Sequence, residues 1–186
     1  MATEYFGETG YEDTRWADVA TAVGLGPTAL YHYFESKQHC LFEILVEAVE
    51  DALSEFEGLN QGVFAVAFPA VVRGSFDRDD REVRRARVLV AEQALVRHPR
   101  QAPREENARL RAFALLKQYM AGWRDLLAVG MKEGAIPAAD PELLARVVVG
   151  SYNSVWQWYR PEGKLDLVAV ADFYAPRMLG IAGVPG

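Results

Sequence analysis

The sequence predicts an all-α protein. Apolar residues recur at steps of three and four rather than alternating, so strand signals are weak. Gly, Pro and Asx residues cut the chain into helix-length segments. Hydrophobic residues make up 51% of the 186, enough for a sizeable core, yet no apolar run reaches the roughly 18–20 residues that a membrane-spanning helix needs.

From the N-terminus, Ala2–Glu8 reads as a short helical piece ended by Gly10. Thr14 is placed to N-cap a helix through Val23, with Gly24 as its left-handed stop. Pro27 suits the first turn of a helix to about Tyr33. Ser36 can cap the next, which runs to about Phe56 before the break 58–62. Further helices are expected over 62–76, 79–97, 104–133, 141–159 and 166–180, divided by loops at 98–103, 134–137 and 160–164. The helices beyond residue 60 can form one helical domain, and the division expected is 1–47 and 48–186.

Composition narrows the function. Net charge is −6 and the pI is near 5.2, which argues against a general nucleic-acid coat protein. Residues 1–47 hold two basic side chains, Arg15 and Lys37, against eight acidic ones, and the remainder balances at 18 against 18. Cys40 is the single cysteine, so an internal disulfide and a thiolate metal cluster are excluded. His32, His39 and His98 never pair at metal-ligand spacing on one helix face. Phosphate loops, nucleophile elbows and Cys-His pairs are absent; no catalytic residue, metal or cofactor is expected. The N-terminus carries no basic segment followed by an apolar stretch, so no signal peptide is expected and the expected location is cytoplasmic.

Residues 10–41 carry the chemistry. Trp16, Val19, Ala20 and Val23 fall on one helix face. Ala20 is small where two helices must cross, and Leu25 can plug the turn after Gly24. Leu30 and Phe34 supply the inner face of the next helix. That leaves Pro27, Thr28, Ala29, Tyr31, His32 and Tyr33 outside or at its start, the pattern of a helix-turn-helix whose second helix enters the major groove N-terminus first. Thr28 offers a hydroxyl and Ala29 a methyl to base edges. Thr14, Tyr31 and His32 can bond phosphate oxygens, Lys37 could meet a phosphate at the next helix N-terminus, and Arg15 is the remaining cation.

The series Gly10-Tyr11, Thr14, Asp18-Val19-Ala20, Gly24-Leu25, Ala29 to Phe34, Ser36-Lys37 and Leu41 resembles the N-terminal domain of the tetracycline-repressor (TetR) family of regulators. The resemblance implies a homodimer with a three-helix DNA-binding domain and a larger ligand-binding, dimerising domain. It also implies a pseudo-palindromic operator, released when a small molecule binds. Thr14, Thr28, Ala29, Tyr31, His32 and Lys37 would be DNA contacts. Gly26, Thr28 and Ala17 depart from residues common in the family. Family members also usually carry a further, often basic stretch before the position of Ala2, and the first helix here is short.

In 48–186 the resemblance implies that helices 141–159 and 166–180 build a four-helix bundle across a two-fold axis. Val147, Ser151, Ser154 and Val155 would meet Leu167, Val170, Ala171, Tyr174 and Met178 there. The aromatics Phe64, Phe68, Phe113, Tyr119, Trp123, Tyr152 and Trp156, with Asn153 to orient a ligand, would line a chamber for an apolar effector. Trp156 to Gly163 is similar to a segment of TetR-type regulators of fatty-acid and steroid catabolism, some of which sense acyl-CoA thioesters. Arg84, Arg85 and Arg87 could meet a CoA phosphate, or could belong to a salt-bridged helix face. Two rival classes remain open: a helical sensor of this fold that has lost tight DNA binding, and a small all-α enzyme.

Overall fold

A computed structural model describes residues 2–184, without the Pro27 side chain. Among the described residues there are nine α-helices, one 3-10 turn and no strand: α1 (Ala2–Thr9), α2 (Trp16–Ala22), α3 (Pro27–Tyr33), α4 (Lys37–Leu59), α5 (Phe64–Gly74), α6 (Asp80–Glu92), the 3-10 turn Gln93–Arg97, α7 (Pro103–Lys132), α8 (Pro141–Trp158) and α9 (Leu167–Ala182). None of these helices is long and apolar enough to cross a membrane. The segment expected as one helix over 79–97 is two elements, because the backbone tightens at Gln93. Val96 is buried there, and its carbonyl accepts the Arg109 guanidinium.

The chain forms two compact units. The first takes residues up to Glu50 together with Asp80–Leu116; the second takes Asp51–Asp79 and everything from Lys117. Both are therefore built from discontinuous stretches, and α4 and α7 contribute to each.

The core of the first unit joins Phe6 and Tyr11 to Leu41, Phe42 and Leu45 of α4, Val88 of α6 and Ala108 and Ala112 of α7. Each large side chain buried in this way contributes about 1.5–3 kcal/mol. Arg87 of α6 donates to the Gly7 carbonyl at 3.0 Å, satisfying the end of α1. Arg84 and Arg85 reach Glu8 at 3.4 Å and Glu47 at 3.9 Å. The salt-bridged reading of Arg84 and Arg85 fits that geometry.

The second unit holds an aromatic interior under α5, α7, α8 and α9. Its helix ends are capped by acids, which suit the positive end of a helix. Asp140 accepts from Glu142 N–H and Leu143 N–H at 2.8 and 3.0 Å, and Asp166 accepts from Val168 N–H at 3.1 Å. The Glu133 carboxylate accepts the Phe64 N–H at the start of α5, at 3.0 Å. Gly130 of α7 lets the Phe64 ring approach: a Cβ there would lie 2.6 Å from the ring.

Candidate functional site

Helix α3 is held from behind and open in front. Leu30, Val19 and Ala20 form a small core of their own, with Trp16, Leu25 and Phe34 packed against it. The turn before α3 depends on Gly24, whose φ of 71° is the left-handed conformation that glycine adopts freely. Leu25 N–H reaches back to the Ala20 carbonyl at 2.9 Å and closes α2. Val23, expected inside, instead ends the helix and is 40% exposed.

The far end of α3 is fixed by polar bonds. Ser36 caps α4 as expected, accepting His39 N–H at 2.9 Å, and its hydroxyl donates to Glu105 at 2.6 Å. The Glu35 carboxylate accepts the backbone N–H of Arg104 and Glu105 at the start of α7, both at 3.0 Å. Arg104 also donates to the Tyr33 carbonyl. With both ends pinned, the outer residues stand clear. Tyr31 and Tyr33 are 53% and 61% exposed, Thr28 and His32 are exposed, and Ala29 is half-buried. Pro27 begins α3, and its side chain lies outside the described residues.

Two expected contacts face inward instead. Thr14 is 3% exposed, and its hydroxyl lies 2.7 Å from the Gly10 carbonyl and 3.2 Å from that of Tyr5. Arg15, not Thr14, occupies the N-cap position of α2, without a side-chain cap. Lys37 points its ammonium at the carbonyls of Tyr11, Glu12 and Thr14, the last at 2.9 Å, and lies 4.2 Å from the centre of the Tyr11 ring. An ammonium has three donors, and here the three carbonyls of the loop before α2 take them. Thr14 is closed off from solvent, and Lys37 is half-buried with its ammonium on backbone carbonyls. Arg15 stands in solvent instead: its side chain is 81% exposed and pairs with Asp18 at 2.9 Å. Cys40 is buried, and that burial pushes its thiol up to about 12, so it stays protonated and inert.

In the second unit the expected aromatics gather in two clusters, with one exception. Phe64 stacks on Phe68 at 5.0 Å; Phe68 and Phe56 close on Trp123, and Tyr119 packs against Trp123. Phe76 joins Tyr152, Trp156 and Tyr174. Asn153 is half-buried on α8. Phe113 is the exception: it lies on the part of α7 that belongs to the first unit and is 38% exposed.

This interior holds a polar group that sequence reading missed. The Arg78 side chain, 7% exposed, donates from Nε to the Tyr152 hydroxyl and the Ser75 carbonyl, both at 3.1 Å, and from Nη2 to Glu55 at 3.1 Å. Burial alone would lower its pKa, but Tyr152 and Glu55 outweigh burial and hold it charged. Burial raises the Tyr152 phenol, which Arg78 partly offsets. The indole Nε1 atoms of Trp123 and Trp156 are buried with no well-formed hydrogen bond, although each faces a phenol, Tyr119 and Tyr152 respectively.

The expected dimer residues separate into two sets. Val155, Val170 and Met178 are buried inside the unit, where α8 packs on α9, and are not available to a partner. Val147 is 52% exposed; Ser151, Ser154, Leu167, Ala171 and Tyr174 are half-buried. The apolar side chains that α8 and α9 leave open also include Leu143, Trp158, Val168, Phe173 and Ile181.

Comparison with known proteins places this geometry. Residues 1–44 match the family described as bacterial regulatory proteins, tetR family, and residues 84–181 match the tetracyclin repressor-like C-terminal domain. The chain is 28% identical over 195 residues to the HTH-type transcriptional repressor KstR2 of Mycobacterium tuberculosis, covering 97% of this chain and 88% of that protein. KstR2 of Rhodococcus jostii is 28% identical over 178 residues, covering 94% and 83%. Among solved structures, the TetR-family regulator PfmR of Thermus thermophilus superposes with a TM-score of 0.80 at 26% identity, over 100% of this chain and 97% of that one. The ketosteroid transcriptional regulator KstR2 of M. tuberculosis superposes at 0.76 and 25%, over 96% and 89%. These relatives are regulators rather than enzymes, and their match spans both units. The chain belongs to the tetracycline-repressor family of DNA-binding transcriptional regulators.

Proposed function

We propose that the protein is a cytoplasmic, homodimeric repressor that holds a pseudo-palindromic operator through α3 and releases it when a small apolar effector enters the aromatic interior of its second unit. The observation that carries this reading is the posture of α3: pinned at both ends, with Thr28, Tyr31, His32 and Tyr33 turned outward. Residues 1–47 act on DNA and 48–186 take the effector and the partner. A two-fold dimer sets its two recognition helices about 35 Å apart, one turn of duplex. Arg15, Ala29 and the start of α3 at Pro27 complete the DNA-facing set. Phe64, Phe68, Tyr119, Trp123, Tyr152, Asn153 and Trp156 line the effector site, and a fatty-acyl or steroid-derived molecule, including its CoA thioester, fits such walls. The steroid form draws support from KstR2, which is named a ketosteroid regulator.

A gel-shift titration with the DNA upstream of the chain's own coding region tests this. A salt-sensitive shift supports it; no shift at micromolar protein refutes it. A second reading, a sensor that does not hold DNA tightly, draws on a specific observation: Lys37 spends its charge inside the fold, leaving Arg15 as the exposed cation before Glu35.

A further inference from the structure

The geometry points to Glu35 as a positioning residue for DNA recognition: its carboxylate caps α7 from the far end of α3 and so sets how α3 is seated. This rests on the reading of α3 as the recognition helix. Helix α7 starts without a cap of its own. Its first intrahelical bond, from Glu106 N–H to the Ala102 carbonyl at 2.9 Å, makes Ala102 the N-cap residue, and an alanine side chain has no oxygen to offer. Pro103, which follows, carries no N–H. The next two N–H groups, of Arg104 and Glu105, both donate to Glu35 Oε2 at 3.0 Å. These are the donors that an Asp or Ser at the N-cap would serve. An acid there also meets the positive end of a 30-residue helix.

The exchange runs in both directions. Arg104 donates to the Tyr33 carbonyl, at the last residue of α3, so each helix end supplies what the other lacks. Helix α3 has only seven residues, too few to hold their shape in water unaided. Two further bonds fix the turn that follows it: Glu35 N–H donates to His39 Nδ1 at 3.1 Å, and the Ser36 hydroxyl donates to Glu105 at 2.6 Å. Charge alone predicts the reverse of this role. A carboxylate directly after a recognition helix repels phosphates, so removing it should tighten DNA binding. The capping geometry predicts the opposite sign for operator DNA.

The experiment titrates full-length variants with the duplex upstream of the chain's own coding region and with a random duplex of equal length, and melts each protein by circular dichroism. Glu35→Ala should lower the melting temperature by about 2–4 °C, the effect of one N-cap in a chain of this size. It should weaken binding to the upstream duplex about tenfold, with random-duplex binding unchanged or tighter. Glu35→Gln removes the same charge but keeps an oxygen for the two N–H groups, and should recover most of that loss. Glu35→Ala combined with Ala102→Asp caps α7 from its own N-cap position and keeps the wild-type net charge, without the link to α3. Its melt should recover while its binding to the upstream duplex stays weak, a separation that a purely structural cap would not give. If the double variant stays unstable, the Glu35→Gln comparison decides alone. Three results overturn the inference: Glu35→Ala binding the upstream duplex at least as tightly as wild type, Glu35→Gln as weak as Glu35→Ala, or the double variant recovering duplex binding along with its melt. If the wild-type protein prefers neither duplex, the regulator reading itself fails and the positioning role falls with it.

Discussion

Lys37 shows how a residue can match a DNA-contact pattern and do something else. Its spacing after α3 puts it at the start of α4, but its ammonium gathers three loop carbonyls and the Tyr11 ring. The sequence could not show this, because the partners lie 23 to 26 residues away and are backbone atoms. Lys37→Met should lower stability by about 1 kcal/mol, the worth of a charged donor lost from part-buried loop carbonyls, while leaving the salt slope of DNA binding unchanged. Arg15→Ala should do the opposite: stability within about 0.5 kcal/mol and a salt slope smaller by about one. Thermal melts and a salt series of gel shifts check both. A second residue-scale prediction concerns acid. Glu106 accepts two charged hydrogen bonds from Arg109 and the Arg100 N–H, and these hold its carboxyl well below the ordinary 4.5, at about 2. The folded value lies below the unfolded one, so the stabilisation is complete above about pH 4.5 and is lost as pH falls through about 2. Glu106→Gln should therefore flatten the stability profile in that window, measured by denaturant melts at successive pH values.

At the scale of elements, what the sequence revealed follows from how local each signal is. Helix α3 and its turn were legible because Gly24, Leu25, Leu30 and Phe34 act on neighbours a few positions away. The Ser36 cap was legible for the same reason. The Arg78 group was not: Glu55 is 23 residues before it and Tyr152 is 74 after it, and Arg78 itself sits between two aspartates like any surface cation. Gly130 was equally silent, since only the approach of Phe64 gives it a role. Gly130→Ala puts a methyl into that ring. It should cost about 1–3 kcal/mol by overpacking even though alanine is the better helix former, and a thermal melt decides which effect wins. Tyr31→Ala on α3 tests the other kind of position. Tyr31 is 53% exposed and outside the small core, so the substitution should weaken operator binding by about tenfold, roughly 1.4 kcal/mol, and leave the melting temperature within a degree or two.

For the whole molecule, the two units are interleaved in sequence; one of their three boundaries falls just before α6, and the other two fall inside α4 and α7, where periodicity runs on without a break. No sequence signal marks such a division, because a long helix looks the same whichever core its faces serve. Helix α8 presents the same difficulty for assembly. It is apolar nearly all round, which foretold two buried sides but not which side faces the chain itself. The structure separates them: Val155 is 0% exposed against the unit's own core, and Val147, two turns earlier on another face, is 52% exposed. A charge at each position therefore has a different consequence. Val155→Glu buries an unpaired carboxylate in the core, a cost of several kcal/mol, and the chain should lose its cooperative melt. Val147→Glu is solvated in the monomer and, in the two-fold dimer proposed above, would be buried once per copy. It should weaken dimerisation by about a hundredfold or more, roughly 3 kcal/mol, while helix content and the melt of the dilute protein persist. Sedimentation of the two variants across a concentration series reads this directly. A folded Val147→Glu protein that stays dimeric would place the partner on some other face of the molecule. One that sediments as a monomer and shifts operator DNA only at much higher protein concentration would tie the exposed face of α8 to paired recognition of the two half-sites.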